Sequence, residues 1–211
     1  MDSNETNLNS WNKVAELYET HFMDLDIYNG SFKTFCDLFT ETSPRILDVG
    51  CGPGNITKQL LQLLPTADLM GIDMAKNMID LAKKNVPSAY FEVMDCRTLD
   101  HYHGEFEGVV AGFCIPYLNA DETTKLFADV YDVLTEDGLF YISFVAGDPS
   151  NSGFITGSTG DRMFFNYHTE EALKNRMLET GFQPLHTAEI SYTKRDASTE
   201  LHTVLIARKL S

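Results

Sequence analysis

The sequence predicts an α/β fold in which a mostly parallel sheet carries a ligand site at the carboxyl ends of its strands. Short apolar segments alternate with amphipathic helical patterns along the 211 residues, which is the order of elements in an open α/β sheet. A glycine-rich turn follows the first apolar segment, and two alternating segments joined by a polar turn close the chain. The length fits one domain, residues 1–211, without internal repeats.

The composition limits the classes of partner. The chain has 31 acidic against 16 basic residues and a formal net charge of -15, so it would repel the phosphate backbone of a nucleic acid. No apolar run is long enough to span a bilayer, and the polar, acidic amino terminus is unlike a signal peptide. We therefore expect a cytoplasmic protein that binds neither nucleic acid nor membrane, with an oligomeric state that the sequence leaves open.

The four cysteines predict reduced thiols rather than a metal site. Cys36, Cys51, Cys96 and Cys114 form no Cys-x-x-Cys pair, and no histidine stands beside them at metal-ligand spacing. We expect no bound metal.

Two helices are predicted before the first strand. Residues 8–22 carry apolar side chains at spacings of three and four, and a second helical pattern at residues 32–39 stops before Pro44. Together they form an amino-terminal helical cap, residues 1–43.

The first strand, residues 45–49, runs directly into a turn with three alternating glycines and then into a helix at residues 56–64. Glycine suits this corner because the chain must reverse within a few residues and because a missing Cβ lets a ligand lie against the backbone. Gly50, Gly52 and Gly54 are therefore predicted to form the floor of a ligand site.

The spacing of these glycines indicates which ligand the floor holds. A dinucleotide site has the pattern G-x-G-x-x-G/A, whereas here Asn55 replaces the third small residue. Asp48, two residues before the first glycine, would repel a pyrophosphate but suits a cationic ligand with an amino group.

This acidic residue followed by G-x-G-x-G resembles the first motif of the class I S-adenosylmethionine-dependent methyltransferases. The resemblance implies a three-layer Rossmann-like methyltransferase fold, with a seven-stranded, mostly parallel sheet and an antiparallel last strand. It also implies S-adenosyl-L-methionine as cofactor and in-line transfer of a methyl group to a small-molecule acceptor.

An acid ends the predicted second strand, residues 68–73, about twenty residues beyond the glycines. The two carboxylate oxygens of Asp73 can accept hydrogen bonds from both ribose hydroxyls, and the alternative is a cap for the helix at residues 75–84. By resemblance Met74 packs on the adenine, and Met78 lies one helical turn further on.

The third and fourth strands, residues 89–93 and 106–113, place further groups at the same edge of the sheet. By resemblance Asp95 binds the adenine amino group and the backbone amide of Cys96 binds a ring nitrogen. The remaining residues that the resemblance assigns to the cofactor are Cys51, Gly112, Phe113, Trp11 and Tyr18. For Trp11 and Tyr18, packing on the core is an equal alternative.

The residues after the fourth strand differ from those of two subclasses of methyltransferase. Enzymes that methylate amino groups of nucleic acids carry Asp/Asn-Pro-Pro-Tyr here, and residues 114–117 keep only Pro116 and Tyr117. The strand also lacks the terminal Asp with which catechol-type methyltransferases hold magnesium.

The second half of the chain continues the same alternation. We predict a helix at residues 121–134, a turn at 135–138, a strand at 139–145, a helix that ends at Gly181, and a hairpin of residues 182–192 and 200–207. Between strand and helix, residues 147–168 are predicted to form a lid loop over the substrate. Its apolar side chains are Phe154, Ile155, Met163, Phe164 and Phe165.

A general base is needed only if the acceptor atom carries a proton. The candidates are His168, Tyr117 and Tyr167, although a lone histidine beside a helix start is often a packing or capping residue. The acceptor atom, O, N, C or S, stays open. A non-catalytic S-adenosylmethionine-binding protein and, with less support, an NAD(P)-dependent oxidoreductase are the alternatives.

Overall fold

The computed structural model describes residues 3–157, 159–194 and 197–210. The elements, in chain order, are α1 (Ser3–Phe22), α2 (Asn29–Cys36), β1 (Arg45–Val49), α3 (Asn55–Leu63), β2 (Asp68–Asp73), α4 (Lys76–Asn85), β3 (Tyr90–Val93), β4 (Phe106–Gly112), α5 (Ala120–Val133), β5 (Leu134–Val145), β6 (Gly153–Thr156), β7 (Arg162–Phe165), α6 (Glu170–Thr180), β8 (Phe182–Thr193) and β9 (Thr199–Lys209). Arg195 and Asp196 of the predicted final turn, and Met1, Asp2 and Ser211 at the ends, lie outside the described residues. In the described part of the chain, no helix combines the length and apolar content needed to cross a membrane.

Seven strands form one sheet in the order β3-β2-β1-β4-β5-β9-β8. The first five strands are parallel, and β9 is antiparallel to both of its neighbours. This confirms the predicted fold class. The strand order reverses between β1 and β4, and in such sheets ligands bind beyond the carboxyl ends of the strands at that point.

The sheet is buried on both faces, which makes three layers. One face packs aromatic and aliphatic side chains under α5 and α6, with Phe127 and Phe140 among them. The other face packs Phe35 and Tyr141 with residues of α2 and α3. Burial on both faces explains why Ile46, Leu47 and Val49 of β1 are apolar although they point to alternate faces of the sheet.

The fifth strand is longer than predicted. The predicted turn at residues 135–138 lies inside β5, because Leu134 already pairs with Phe106 on β4. The pairing then shifts before Leu139, and Asp137 has φ +61. The polar residues that indicate a turn therefore form a bulge within a paired strand.

The predicted lid loop, residues 147–168, contains the two-stranded hairpin of β6 and β7. The rings of Phe154 and Phe164, directly opposite each other, meet edge to face at 5.2 Å. The side-chain amide of Asn7 donates to the Phe164 carbonyl at 3.1 Å and accepts from its N–H at 2.7 Å, and Ser10 donates to the Arg162 carbonyl at 2.6 Å. Side chains of α1 thus bind the backbone at the free edge of β7. Local sequence patterns did not indicate this contact.

We expect Asn7→Ala to loosen this hairpin. The substitution leaves the N–H and the carbonyl of Phe164 without their protein partner, and we expect a loss of about 1–3 kcal/mol in the free energy of unfolding. Hydrogen exchange at the Phe164 amide should accelerate in Asn7→Ala. Asn7→Asp keeps the acceptor for that amide, so its exchange rate should lie between those of the wild type and Asn7→Ala. Equal exchange rates in all three proteins would contradict the role of Asn7.

Candidate active site

A cavity of ≈ 340 Å³ lies at the carboxyl ends of β1, β2 and β4, under α1. Eleven of the residues predicted to bind a cofactor line it: Gly50, Gly52, Asp73, Met74, Met78, Asp95, Cys96, Gly112, Phe113, Trp11 and Tyr18. The other three, Asp48, Cys51 and Gly54, are buried and do not line the cavity. The sequence therefore identified most of one surface, although its residues come from five separate parts of the chain.

The glycine turn forms the floor of the cavity. Gly50 and Gly52 have φ +70 and +53, a region that favours glycine. A Cβ on Gly50 would lie 3.2 Å from Cβ of Cys114, and one on Gly52 would lie 3.7 Å from the Tyr18 ring. The turn therefore presents bare backbone to a ligand.

Asp48 is fully buried at the end of β1. Oγ1 of Thr57 donates to Asp48 Oδ2 at 2.7 Å, whereas Asp48 Oδ1 has no hydrogen-bond partner within the described residues. Burial raises the pKa of this carboxyl to about 7. A buried carboxylate oxygen without a partner, just behind the glycine floor, fits a cationic ligand in the cavity.

Asp73 lines the cavity and also caps the chain that follows it. Its Oδ2 accepts from the Gly52 N–H at 3.1 Å and its Oδ1 accepts from the Ala75 N–H at 2.8 Å. Burial raises the pKa of Asp73 to about 6. Each carboxylate oxygen has a further lone pair, so the capping contact and a ribose contact do not exclude each other.

Asp95 is held by an arginine that the sequence analysis did not single out. Nε of Arg97 lies 2.8 Å from Asp95 Oδ1, its Nη2 lies 2.6 Å from Asp95 Oδ2, and its Nη1 lies 2.8 Å from Glu122. Hydrogen bonds from Arg97 lower the pKa of Asp95 despite its partial burial. The loop after β3 is therefore fixed to the start of α5.

The aromatic residues of α1 cover the cavity. Trp11 lies edge to face with both Tyr18 and Tyr117, each at 5.3 Å between ring centroids. Tyr18 stacks on Phe22 at 4.4 Å. All four line the cavity, so α1 shields its contents from solvent.

The end of the cavity near β9 combines the predicted Phe113 with three residues that sequence reasoning missed. Tyr28, Phe113, Tyr192 and His202 line it. The φ of Phe113 is +55, which is unusual for a bulky side chain and occurs here at the corner after β4. The only sequence signal was Glu200-x-His202, two polar residues on one face of a strand.

The three catalytic candidates lie in different places. Tyr117 lines the cavity, and burial raises its pKa. Tyr167 and His168 are not among the lining residues; Nε2 of His168 lies 3.0 Å from the Leu118 carbonyl, and burial lowers the pKa of its ring. For His168 this geometry favours the packing alternative. The apolar side chains of β6 and β7 do not line this cavity either.

The described residues contain no group of three or more His, Cys, Asp or Glu side chains placed to hold a metal ion.

Comparison with known proteins shows what this chain is similar to. Residues 46–138 match the family model described as a methyltransferase domain. The ubiquinone/menaquinone biosynthesis C-methyltransferase of Desulfotalea psychrophila is 25% identical over an alignment of 171 residues, and the match covers 67% of this chain and 67% of the relative. Among the first curated relatives, the matches span between 21% and 67% of the relative's own length.

Solved structures share the fold. A SAM-dependent methyltransferase from Methanosarcina mazei superposes with a TM-score of 0.73 at 20% identity, covering 83% of this chain and 97% of the other. The 1,6-didemethyltoxoflavin-N1-methyltransferase of Burkholderia thailandensis, solved with its substrate and S-adenosylhomocysteine, gives 0.72 at 18% identity, covering 97% and 87%. The glycine motif lies within the matched residues 46–138 and the strand order agrees with these structures, so the chain is similar to the S-adenosylmethionine-dependent methyltransferases in motif, in its matched domain and in fold.

Proposed function

We propose that this protein transfers the methyl group of S-adenosylmethionine to a small, largely apolar acceptor. The observation that carries the proposal is the cavity at the switch point of the sheet. It joins the glycine floor, Asp73 and an aromatic end in one space of ≈ 340 Å³, with the buried carboxylate of Asp48 behind the floor. A pocket of this size, mostly apolar with a few polar groups, is typical of small-molecule sites.

The cofactor would lie on the side of β1 and β2. Asp73 would bind the ribose, Met74 and Met78 would flank the adenine, and Asp95 with the Cys96 amide would bind its edge. Asp48 would balance the positive charge of the ligand from behind the glycine floor. In the protein without ligand, burial raises the pKa of Asp48 to about 7 and that of Asp73 to about 6. A cation that enters the cavity would stabilise both carboxylates, and this supports a site for a positively charged ligand.

The acceptor would occupy the end near Phe113 and β9. The sulfonium supplies an activated methyl group when bound, so the chain's own residues mainly align the acceptor and exclude water. The aromatic residues of α1 close the cavity on its solvent side, which supports this reading. Alignment of this kind is worth about 7–11 kcal/mol in favourable models.

The acceptor atom differs between the two named relatives, one described as a C-methyltransferase and the other as an N1-methyltransferase. Both names refer to small molecules, and this supports the same class of acceptor here. The family alone does not select an atom, because function depends on the site and not on the fold.

Calorimetry with S-adenosylmethionine tests the cofactor part of the proposal. We expect micromolar binding by the wild type and at least tenfold weaker binding by Asp73→Ala, because hydrogen bonds to a charged group contribute about 1.5–3 kcal/mol each. Asp73→Asn keeps an oxygen for the Ala75 N–H and controls for loss of the cap. Binding of NADH in place of S-adenosylmethionine would contradict the proposal.

Turnover tests the transfer itself. Formation of S-adenosylhomocysteine with a panel of small acceptors separates an enzyme from a protein that only binds the cofactor. Tight cofactor binding without turnover of any acceptor would support the non-catalytic alternative.

A further inference from the structure

A chain of hydrogen bonds enters the acceptor end of the cavity from β9. Nδ1 of His202 lies 2.5 Å from the hydroxyl oxygen of Tyr28, and its Nε2 lies 3.0 Å from Glu200 Oε1. The other oxygen of Glu200 pairs with Nζ of Lys194. Tyr28 and His202 line the cavity, whereas Glu200 and Lys194 lie behind them.

This arrangement fixes the tautomer of the histidine. The carboxylate of Glu200 can only accept, so Nε2 of His202 carries the proton and Nδ1 is left to accept from the Tyr28 hydroxyl. The Tyr28 oxygen retains its lone pairs on the side of the cavity. A group with a dissociable proton in the cavity can therefore donate to Tyr28, which in turn donates to His202.

Contacts with neighbouring aromatic rings hold the side chains of Tyr28 and His202 in place. The His202 side chain is 7% exposed and stacks on Tyr192 at 5.1 Å, while Phe113 meets it edge to face at 4.8 Å. Tyr28 also meets Phe113 edge to face, at 5.5 Å. Because Phe113 follows β4 at the switch point, the Tyr28 hydroxyl lies at the corner where the proposed function puts methyl transfer.

We propose that Tyr28 is a catalytic proton acceptor and that His202 and Glu200 are its positioning residues. The molecule that receives the methyl group is then a planar aromatic compound whose nucleophilic atom carries a dissociable proton, as in a phenol. This inference rests on the proposed function. The aromatic walls favour a flat molecule, and a buried relay that accepts one proton has a purpose only if the acceptor must lose one.

The proposed step is balanced in atoms and charge. A lone pair of the acceptor oxygen forms the bond to the methyl carbon as the carbon–sulfur bond breaks, and that bond's electron pair stays on sulfur. The acceptor proton moves to the Tyr28 oxygen while the Tyr28 proton moves to Nδ1 of His202. The imidazolium that results lies beside the Glu200 carboxylate and loses its extra proton to solvent after product release.

The resting charges of the relay agree with this direction. Burial lowers the pKa of His202, although Glu200 opposes the shift, and burial raises the pKa of Tyr28. The other titratable groups that act on the pair are Lys194, Tyr18, Tyr141 and Tyr192. The histidine is therefore neutral and the tyrosine protonated near pH 7, which is the state that the step requires.

A pair of phenols tests the relay with Tyr28→Phe. For 4-methylphenol, protonated at neutral pH, we expect kcat to fall by at least about 100-fold, as for loss of a general base. For 4-nitrophenol, which is largely ionised at pH 8, we expect a fall below about fivefold when both phenols are assayed at that pH. His202→Gln should show the same difference between the two phenols. Tyr90→Phe, at a residue that is 60% exposed, should change neither rate.

The outcomes separate this inference from the proposed function. Equal losses with both phenols in Tyr28→Phe would mean that Tyr28 only shapes the cavity, and the relay would be wrong. If the wild type binds S-adenosylmethionine by calorimetry but methylates neither phenol nor a planar N–H heterocycle such as indole, the acceptor class is wrong and the cofactor assignment stands. Failure to bind S-adenosylmethionine would overturn the proposed function itself.

Discussion

Asp48→Asn is expected to weaken S-adenosylmethionine binding by about 30-fold while making the free protein more stable at pH 8. The binding loss follows from removing one negative charge from a buried position behind the cavity floor. At an effective dielectric constant of about 20, two unit charges about 4 Å apart interact by about 4 kcal/mol, and about 2 kcal/mol is expected at twice that distance for a charge that does not touch the ligand. The stability gain follows because Asp48 Oδ1 is buried without a partner in the described residues.

The sign of the pH dependence can be derived from the raised pKa. The pKa of Asp48 is about 7 in the folded protein against an ordinary value of 3.8, so between these values the folded state binds more protons than the unfolded state. The contribution of this group to stability therefore falls as pH rises from about 4 to about 7 and stays low above that. In Asp48→Asn this decline should be smaller, because the amide carries no charge at any pH in the range and can still accept from Thr57.

Thermal melts at pH 5 and pH 8, with calorimetry at pH 8, measure both effects. Asp68→Asn makes the same change in net charge at a side chain that is 74% exposed, and it should affect neither quantity. Wild-type affinity in Asp48→Asn would show that Asp48 does not act on the ligand. A less stable Asp48→Asn at pH 8 would show that its carboxylate has a compensating partner.

The sequence predicted the part of the site that local patterns encode. Asp73 ends an apolar strand at a fixed distance from the glycines, and Gly50 and Gly52 stand in a motif whose spacing reflects backbone geometry. Each of these signals can be recognised within one strand–turn–helix segment or at a fixed spacing along the chain. Because parallel strands have their carboxyl ends at one edge of the sheet, the fold brings these residues together in one site.

The acceptor end was not predictable in this way. Tyr28 and His202 are 174 positions apart, and their contact exists only because β9 lies between β5 and β8 at the far side of the sheet. Glu200 and His202 alternate on a strand, but so do many polar pairs on solvated strands. His168 stood out in sequence because a lone histidine precedes a helix, yet its ring contacts the Leu118 carbonyl and does not line the cavity.

Gly52→Val is expected to weaken S-adenosylmethionine binding by at least about 100-fold, the largest effect that we expect from a single substitution in the cofactor half. The φ of Gly52 is +53, and its Cα lies on the cavity floor, where an added Cβ would lie 3.7 Å from the Tyr18 ring. A branched side chain there would occupy the space of the ligand. Overpacking of this kind costs about 1–3 kcal/mol, and at the upper end this is about 150-fold in affinity.

Backbone strain is the competing explanation, and Gly104→Val separates the two. Gly104 has φ +60, nothing lies within 4 Å of its built Cβ, and it is exposed on the turn before β4. Both substitutions force a branched residue into the left-handed region, so both should lower the melting temperature by similar amounts. Only Gly52→Val should weaken the binding of S-adenosylmethionine. If Gly104→Val weakens it as well, the effect comes from strain transmitted through the fold. In that case the bare backbone of the turn does not itself form the floor of the site.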